Sequence, residues 1–362
     1  MQTEDVLAGR LSRVTVDRIA VIKPTALGDV VQSMPVLGAL RERFPDANIS
    51  WVISSGLQEI LAEHPLLHET IVYERHGGFR GWRRLLAELR SRRFDLVLDL
   101  QGLLRTGLMT WATGAPVRIG LESAREGSSL ACHGLVPHTG RLVPAHQRYW
   151  QVAEFLGCGH VDRRQEISVS CADGDLARSV ADRLGSRVVA LHAGARWETK
   201  RWPVEKFAQV ALHAITTHDA SIVLVGGEEE VGRSVALQKE IEATGRGGRV
   251  ENLVGRTGLK QLAAVLARSE VLVTGDSGPM HMAAAMGTPV VGLFTCTSAE
   301  RSGPPPGQHV LIETALPCRG SYFKRCPMRG ASHMACLRDL SVSRACEGLD
   351  RLLERDASRS AA

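Results

Sequence analysis

Short apolar runs, each followed by a turn and a helical pattern, recur along the whole chain. In the first half they predict strands at residues 19–22, 49–54 and 94–100, with a helix at residues 82–92. In the second half they predict strands at residues 188–191, 221–225, 271–274 and 290–294, with helices at residues 259–267 and 280–286. Continuous apolar runs bounded by turns are typical of buried parallel strands. Their alternation with helices predicts βαβ units and a parallel sheet in each half.

The two halves open in the same way. Residues 18–43 read as a strand, a turn with Gly28 and a helix, and residues 187–213 repeat this order with Gly194 in the loop and Pro203 at the helix start. This repetition predicts an α/β protein with two Rossmann-like domains whose parallel sheets face across a cleft. We predict an irregular tail segment at 318–338, a final helix at 342–355 and a boundary in the polar stretch 157–175. The resulting parts are an N-terminal domain at 1–165, a C-terminal domain at 175–335, and a helix and tail at 336–362.

Length and composition agree with this organisation. A chain of 362 residues has room for two domains of about 100–200 residues each. Its 44% apolar and 23% charged residues exclude a disordered, collagen-like or coiled-coil chain. No apolar run approaches the ~18 residues that span a bilayer, and the N-terminus carries acids where a signal peptide has an apolar core. We therefore expect a cytoplasmic protein.

Positive charge is concentrated in one segment. The net charge is only +5, but seven arginines lie between residues 75 and 93, with Glu88 the one acidic residue among them. Such a segment is either a solvated face or a contact surface for anionic lipid or nucleic acid. With aromatic residues at 4%, base stacking has little support, so no nucleic-acid partner is expected.

Five of the eight cysteines lie in the last quarter of the chain, at residues 296, 318, 326, 336 and 346. No two of them form a C-x-x-C pair, which is the usual spacing of a zinc site. Without a secretory signal, disulfides are not expected either. The sequence therefore predicts reduced thiols and no metal site.

Common nucleotide and hydrolase motifs are absent. No strand is followed by G-x-G-x-x-G, so binding of NAD or FAD is not supported, and no cofactor is expected. The chain also lacks G-x-x-x-x-G-K-[ST] and G-x-S-x-G, which argues against a nucleoside triphosphatase and a serine hydrolase.

Asp29 follows the first predicted strand, at the start of a helix. Open α/β sheets bind ligands at the carboxyl ends of their strands, so this carboxylate is a candidate general base. The alternative is a plain helix cap, since aspartate is a favoured N-cap residue. A helix N-terminus also stabilises the charged carboxylate and weakens it as a base, an effect that burial under a substrate has to counter.

Two loops of the second half have features that suit phosphate. Gly275–His281 follows a predicted strand and opens a helix, where backbone N–H groups bind anions, Ser277 adds a hydroxyl and Gly278 allows close approach. The loop before Pro203 carries three cations, which are Arg196, Lys200 and Arg201. An ordinary strand-to-helix turn and a solvated basic loop are the alternatives. Two such loops on one domain favour a diphosphate ligand.

The chain resembles glycosyltransferase family 9, the ADP-heptose:lipopolysaccharide heptosyltransferases. The matching segments follow the family order over almost the whole chain and include IAVIKPTALGDVVQSMPVLGALRERFP, FDLVLDLQGLLRTG, RIGLESARE, HAGARWETKRWP, LVGG and LVTGDSGPMHMAAAMGTPVVGLF. The resemblance implies the GT-B fold, with two Rossmann-like domains and an active site between them. It also implies transfer with inversion at the anomeric carbon and no metal in donor binding.

Residue by residue, the resemblance implies a catalytic base at Asp29 and a cation for the donor diphosphate at Lys200. It implies donor contacts at Thr199, Asp276, Ser277, Gly278, His281 and Thr295, and a ribose-binding acid at Glu228 or Glu230. It implies acceptor contacts at Gln101, Arg105 and Arg125. Two places depart from the family pattern: Ser277 stands where the family often has threonine, and residues 294–298 differ from the usual Gly-Pro-Thr run.

The function implied is transfer of heptose from ADP-heptose to the inner core of lipopolysaccharide, on Kdo-lipid A or a heptosyl acceptor. The partners are then an ADP-sugar and a lipid-linked saccharide, with peripheral contact at the cytoplasmic face of the inner membrane. The candidate contact surface is the arginine-rich segment with the apolar face of the helix predicted within it, which is formed by Trp82, Leu85, Leu86 and Leu89. The alternative for this face is that it packs on the sheet. The alternatives are a transferase with another nucleotide sugar or acceptor, a GT-B sugar-nucleotide epimerase, and a silent binding module.

Overall fold

In the computed structural model the chain divides into two units, Met1–Ser168 and Val169–Ala362. The structure describes residue 7 and residues 9–185 and 187–360, with the backbone alone for residues 355–360. Residues 1–6 and 8, which contributed to the prediction that no signal peptide is present, lie outside the described residues. The C-terminal helix belongs to the second unit.

The first unit is built on one parallel sheet. Its strands are β1 (Arg18–Ile22), β2 (Asn48–Ser54), β3 (Glu69–Tyr73), β4 (Leu96–Asp99), β5 (Val117–Leu121) and β6 (Gly134–Val136). Its helices include α1 (Leu27–Ser33), α2 (Pro35–Arg43), α3 (Gly78–Ser91), α4 (Leu104–Thr113) and α5 (Ala145–Phe155), with 3-10 helices at Ser55–Leu61 and Ser128–Ala131. The strand order is β3-β2-β1-β4-β5-β6, and neighbouring strands are parallel.

The second unit repeats this plan. Its strands are β7 (Val188–His192), β8 (Ser221–Leu224), β9 (Val250–Asn252), β10 (Val271–Gly275), β11 (Val290–Phe294) and β12 (His309–Glu313). Its helices are α6 (Cys171–Leu184), α7 (Val204–His218), α8 (Val231–Glu242), α9 (Leu259–Ala267), α10 (Gly278–Ala285), α11 (Ala299–Ser302), α12 (Ala335–Asp339) and α13 (Val342–Ser360). Single 3-10 turns occur at Glu198–Lys200, Glu228–Glu230, Gly247–Arg249 and Gly330–Ser332. The order β12-β11-β10-β7-β8-β9 is again parallel throughout.

Each sheet reverses its winding direction at its first strand. Strand β1 lies between β2 and β4, and β7 lies between β8 and β10. In open α/β sheets, ligands bind beyond the carboxyl ends of the strands at such a switch point. The loops after β1 and β4, and those after β7 and β10, are therefore where each unit is expected to bind its ligand.

The helices bury apolar faces against these sheets. In the first unit Leu85 and Leu89 of α3 lie in one core with Val52 and Val97 of the strands, and Trp82 and Leu86 pack at its edge. The apolar side of the arginine-rich helix is thus directed into the protein. In the second unit Leu349 and Leu352 of α13 join the core beneath β10 and β11. Among the described residues, no helix is both long and apolar enough to cross a bilayer.

The predicted fold class, an α/β protein with two parallel-sheet units, is confirmed. The sequence pattern missed β3, β5, β6, β9 and β12. Strand β5 is interrupted by Arg118, and the other four are only partly buried, so none of them requires a continuous apolar run.

Three details of the prediction are wrong. Pro203 is the N-cap residue of α7 and not its first residue, and α3 begins at Gly78 rather than at residue 82. The segment predicted to be irregular ends in helix α12.

Candidate active site

Asp29 lies where the first unit reverses its winding. Strand β1 ends at Ile22, and Asp29 is the third residue of α1, whose N-cap is Ala26. The carboxylate is therefore not the N-cap group of this helix, and the interpretation as a plain cap does not hold. Its position in the first turn still exposes it to the positive end of the helix dipole, which favours the charged form.

Two side chains contact the Asp29 carboxylate. The Tyr149 hydroxyl donates to Oδ1 over 3.1 Å, and Nζ of Lys23 lies 3.7 Å from Oδ2. The lysine side chain is 2% exposed and the aspartate side chain 38% exposed, so the pair presents its carboxylate and hides its cation. Burial lowers the pKa of Lys23, and the charge of Asp29 opposes part of that shift. Burial, together with the Asp29 charge, raises the pKa of Tyr149 well above its usual value, so the phenol stays a donor.

Gln101 completes this group from the neighbouring strand. It follows β4, and its Oε1 accepts from Nζ of Lys23 over 3.3 Å and from the backbone N–H of Thr25 over 3.4 Å. Its own backbone N–H and that of Gly102 donate to Oδ1 of the buried Asp99, at 3.0 and 2.9 Å. The loop after β4 is thus held in place by Asp99 and in turn holds Lys23.

The two arginines predicted on the acceptor side adjoin the same edge of the sheet. Arg105 is half-buried in the first turn of α4, and Arg125 is exposed in the loop after β5. The backbone N–H of Arg125 donates to the carbonyl of Gly102 over 3.0 Å, which ties its loop to the Gln101 loop. The structure therefore brings Gln101 into contact with the lysine beside Asp29 and places the two arginines on adjoining segments.

The second unit carries its own lysine–aspartate pair at its switch point. Lys200 ends the 3-10 turn after β7, Asp276 directly follows β10, and Nζ lies 3.3 Å from Oδ2. Both side chains are nearly equally accessible, at 13% and 12%. The ammonium also lies 4.9 Å from the ring centre of Trp197, a cation–π contact. A Cβ atom at Gly275 would come within 3.0 Å of the Lys200 carbonyl, so glycine allows the two loops to approach each other.

Helix α10 opens beside this pair. Ser277 is its N-cap residue, but its hydroxyl shares a hydrogen bond with Thr274 over 3.0 Å and makes no side-chain cap. Gly278 begins the helix and His281 is buried in its first turn. The backbone N–H groups at the start of α10, rather than the Ser277 hydroxyl, are therefore the groups most suited to an anion.

Thr199 and Thr295 are both buried and hydrogen-bonded within the protein. The Thr295 hydroxyl donates to the Thr199 carbonyl over 2.6 Å, and the Thr199 hydroxyl donates to the Phe323 carbonyl over 2.7 Å. The thiol of Cys296 is 3.4 Å from the same threonine hydroxyl. These bonds attach the loop that carries Lys200 to the end of β11 and to the segment around Phe323.

Glu228 and Glu230 have different environments. Glu228 is exposed, whereas Oε2 of Glu230 lies 3.0 Å from both Nε2 of His192 and the backbone N of Gly227. Burial acts to raise the pKa of Glu230. The hydrogen bond and charge of His192, the Gly227 N–H and the charge of Arg201 together outweigh burial, so the pKa falls below its usual value. A Cβ atom at Gly194 would overlap this carboxylate, so glycine makes room for it. Glu230 is therefore a fixed carboxylate at the ends of β7 and β8.

The cysteines are free thiols. Cys336 of α12 shares a side-chain hydrogen bond with Cys318, and the thiols of Cys296 and Cys326 are also near it. Burial, followed by these neighbours, raises the pKa of Cys336 to about 12, so this thiol stays protonated at neutral pH.

Sequence reasoning missed Lys23 and Tyr149. A signal existed for Lys23, because a charged residue directly after a buried strand at the predicted switch point is unusual. No local signal existed for Tyr149, which contacts Asp29 across 120 positions of the chain.

Comparisons with known proteins bear on the family and the fold of the chain. The sequence model described as "Glycosyltransferase family 9 (heptosyltransferase)" matches residues 82–331. The lipopolysaccharide core heptosyltransferase OpsX of Haemophilus influenzae is 25% identical over 290 residues, covering 79% of this chain and 81% of the relative. The lipopolysaccharide heptosyltransferase 1 of Pseudomonas aeruginosa is 27% identical over 351 residues, covering 89% and 91%.

Solved structures share the fold. The family 9 glycosyl transferase of Veillonella parvula has a TM-score of 0.76 and 24% identity, covering 94% of this chain and 97% of that one. The ADP-heptose lps heptosyltransferase II of E. coli has a TM-score of 0.76 and 23% identity, covering 94% and 99%.

Proposed function

We propose that the chain, which belongs to glycosyltransferase family 9 and is a glycosyltransferase, transfers heptose from ADP-heptose to the inner core of lipopolysaccharide. The relatives that cover most of its length are named for lipopolysaccharide heptosyl transfer. The observation that carries the proposal is the different accessibility of two lysine–aspartate pairs. In the Lys23–Asp29 pair the carboxylate is accessible to a substrate and the cation is buried. In the Lys200–Asp276 pair both groups are accessible, so a diphosphate can replace the carboxylate beside the lysine.

Asp29 acts as the general base of this reaction. It takes the proton of the acceptor hydroxyl while the oxygen attacks the anomeric carbon of the donor and the bond to the diphosphate breaks. The transition state resembles an oxocarbenium ion, and attack from the face opposite the leaving group inverts the configuration. Lys23 and Tyr149 position the carboxylate from beneath, because both contact it and both are buried.

The second unit stabilises the departing ADP. Lys200 exchanges its contact with Asp276 for the diphosphate, and the N–H groups at the start of α10, beginning at Gly278, contact the phosphate oxygens. Glu230 is the better candidate for the ribose hydroxyls, because its carboxylate is already fixed at the strand ends by His192. Thr199 and Thr295 keep the Lys200 loop in place, and His281 packs beneath the helix start.

The acceptor is an anionic saccharide. Arg105 and Arg125 adjoin the Gln101 loop, and a guanidinium group matches the geometry of carboxylates and phosphates. We therefore assign Gln101 to the sugar hydroxyls and the two arginines to the negative groups of a Kdo-lipid A or heptosyl acceptor.

A donor panel tests this function. Purified chain is mixed with ADP-, UDP- and GDP-sugars in a thermal-shift assay, where a donor at ~100 times its dissociation constant stabilises the protein by about 2.7 kcal/mol. Transfer to a purified inner-core acceptor is then followed by mass spectrometry. We expect ADP-heptose to stabilise the protein and to add one heptose to the acceptor. A response to UDP- or GDP-sugars alone would establish a different donor. Change of the donor without an acceptor would establish an epimerase, and binding without turnover a silent module.

We also propose that the enzyme works at the cytoplasmic face of the inner membrane, docked through an α3–α4 surface. Six of the seven arginines at residues 75–93 are exposed, and only Arg92 is held, by Glu69 and Glu88. The neighbouring helix α4 exposes a row of apolar side chains, formed by Leu104, Leu108 and Trp111. Trp111 is the most exposed of the three, at 67%. The apolar contribution is thus supplied by α4 and not by the buried side of α3.

Co-sedimentation with anionic vesicles tests this surface. Each basic residue near an anionic membrane contributes about 1 kcal/mol, so Arg83→Glu/Arg84→Glu should release most of the protein. Trp111→Ser should weaken vesicle binding at both low and high salt, because salt does not screen an apolar contact. The control is Arg246→Glu/Arg268→Glu, which makes the same charge change on exposed residues of the second unit. Equal sedimentation of all four proteins at low and high salt would place the docking surface elsewhere.

A further inference from the structure

Two histidines of α7 and one aspartate of α13 converge at one point of the second unit. Nε2 of His213 and Nε2 of His218 each lie 2.6 Å from the same oxygen, Oδ1 of Asp350. One ligand atom from each of the three side chains lies within 4.8 Å of the other two. Among the residues whose side chains the structure describes, no other set of three histidine, cysteine or acidic residues is grouped in this way. All three side chains are partly exposed, so an ion can enter from solvent.

The chemistry of this cluster suits a divalent transition metal. Two imidazole nitrogens and one carboxylate oxygen are a common ligand set for zinc, with water as the fourth ligand. Zinc binds such atoms at about 2.0–2.2 Å, so tetrahedral ligands lie roughly 3.3 Å apart. The side chains need to separate by less than about 1 Å from their present 2.6 Å contacts to admit the ion.

The surroundings also favour a cation. His218 is the last residue of α7, where the carbonyl end of the helix carries partial negative charge. The ring Nδ1 of His213 lies 3.4 Å from the hydroxyl of Thr217, which can orient the imidazole.

We propose that His213, His218 and Asp350 bind one Zn²⁺ ion, or a similar divalent transition-metal ion, which links the C-terminal helix α13 to α7. Helix α7 runs back from the carboxyl ends of the strands to the start of β8, so its end at His218 lies at the opposite edge of the sheet from Lys200. The role we infer is therefore structural, and the site takes no part in glycosyl transfer.

This site departs from the expectation that the chain holds no metal. That expectation rested on the spacing of the cysteines. The new ligands are histidines and an aspartate that lie 137 and 132 positions apart in the sequence, so only the packing of α13 on α7 brings them together.

Metal titration of the full chain tests the proposal. Protein treated with a chelator is titrated with Zn²⁺ by calorimetry and with Co²⁺ by absorption spectroscopy, and its thermal midpoint is measured with and without Zn²⁺. We expect one ion per chain and a rise in the midpoint. Binding should weaken in acid, because protons compete with the metal ion for its ligands. The Co²⁺ complex should show visible bands without thiolate-to-cobalt charge transfer.

Variants identify the ligands. Asp350→Asn and His218→Gln should each weaken Zn²⁺ binding at least tenfold and remove the rise in the midpoint. His76→Gln, an exposed histidine of the first unit, and Cys318→Ser/Cys326→Ser should bind as the wild type does. The midpoints of the metal-free variants show whether each one folds. The proposal is overturned if the wild type binds no ion, if Asp350→Asn and His218→Gln both retain it, or if the cysteine variant loses it.

Discussion

Both units place a lysine and an aspartate at the switch point of the same topology, yet the two pairs differ in which side chain is accessible. In the first unit the lysine is buried and the carboxylate is accessible, with 3.7 Å between them. In the second unit the two side chains are equally accessible at 3.3 Å. A shared fold therefore fixes where the charges lie, while the local burial determines which charge can meet a substrate.

The origin of the difference lies in the chain positions of the lysines. Lys23 directly follows β1, so it starts inside the sheet edge, where Gln101 and Tyr149 cover it. Lys200 comes eight residues after the end of β7, in a turn that reaches back over Asp276. A buried ammonium can position a neighbour but cannot reach a ligand, whereas a partly exposed ammonium can exchange one anion for another.

The largest effect is expected for the accessible carboxylate. Asp29→Asn keeps the size of the side chain but removes the base, so the transfer rate should fall about 10²–10⁴-fold. The affinity for ADP should stay unchanged, because we assign the donor contacts to the second unit. Single-turnover kinetics with saturating ADP-heptose, together with ADP calorimetry, measure both quantities.

The control for this variant is Asp46→Asn, an exposed aspartate of the same unit. Asp29→Asn also removes the carboxylate that pairs with the buried Lys23, which can lower the stability of the protein. The thermal midpoint is therefore measured for the wild type and both variants. Near-normal turnover by folded Asp29→Asn would show that the carboxylate has only a structural role in its helix.

The second-largest effect is expected for the exchangeable cation. Lys200→Ala removes the charged contact that we propose to the diphosphate. Such a contact is worth about 1.5–3 kcal/mol, so ADP affinity should fall roughly 10–150-fold. The transfer rate should also fall, because leaving-group stabilisation is lost. Calorimetry with ADP and steady-state kinetics measure the two effects. Lys239→Ala, an exposed lysine of α8, is the control, and unchanged ADP affinity in Lys200→Ala would remove this residue from the site.

The fold could be read from the sequence because buried parallel strands leave continuous apolar runs. Asp29 and Asp276 could be predicted as site residues because they follow such strands and the carboxyl ends of parallel strands form binding edges, whereas Gln101 was predicted from the family resemblance. Tyr149 could not, since its contact with Asp29 depends on the packing of α5 beside α1.

The burial of individual charged side chains could not be predicted from the sequence either. Nothing in the motif around Lys23 shows that its ammonium is covered by Gln101. Similarly, nothing in the run of three glutamates distinguishes exposed Glu228 from Glu230, which His192 holds. These differences depend on contacts between distant segments.

A smaller effect separates the two glutamates. We expect Glu230→Gln to weaken ADP binding about tenfold, the cost of one charged hydrogen bond, and Glu228→Gln to leave it unchanged. The pKa of Glu230 is lowered in the folded chain, so its charged form adds stability above the pKa of the unfolded chain. That stability is lost as the pH falls through the lower folded value. The thermal midpoints of wild type and Glu230→Gln should therefore converge in acid. A weaker ADP complex in Glu228→Gln alone would reverse the assignment.

The smallest effect is expected for the phenol beside the base. Tyr149→Phe removes one hydrogen bond to the Asp29 carboxylate. Because this bond is made both before and during the reaction, only part of its strength, about 0.5–1.5 kcal/mol, affects the transfer rate, which should change by roughly 2–12-fold. A hydrogen bond donated to a carboxylate favours its charged form, so without it the acid limb of the pH–rate profile should move to higher pH. Tyr73→Phe makes the same substitution on β3, where the ring packs against Trp82, and should leave the profile in place. A lower rate with an unmoved acid limb would mean that Tyr149 supports the helix packing and not the carboxylate. In that case the first unit would position its base through Lys23 alone, and the two pairs would be more alike than their burial indicates.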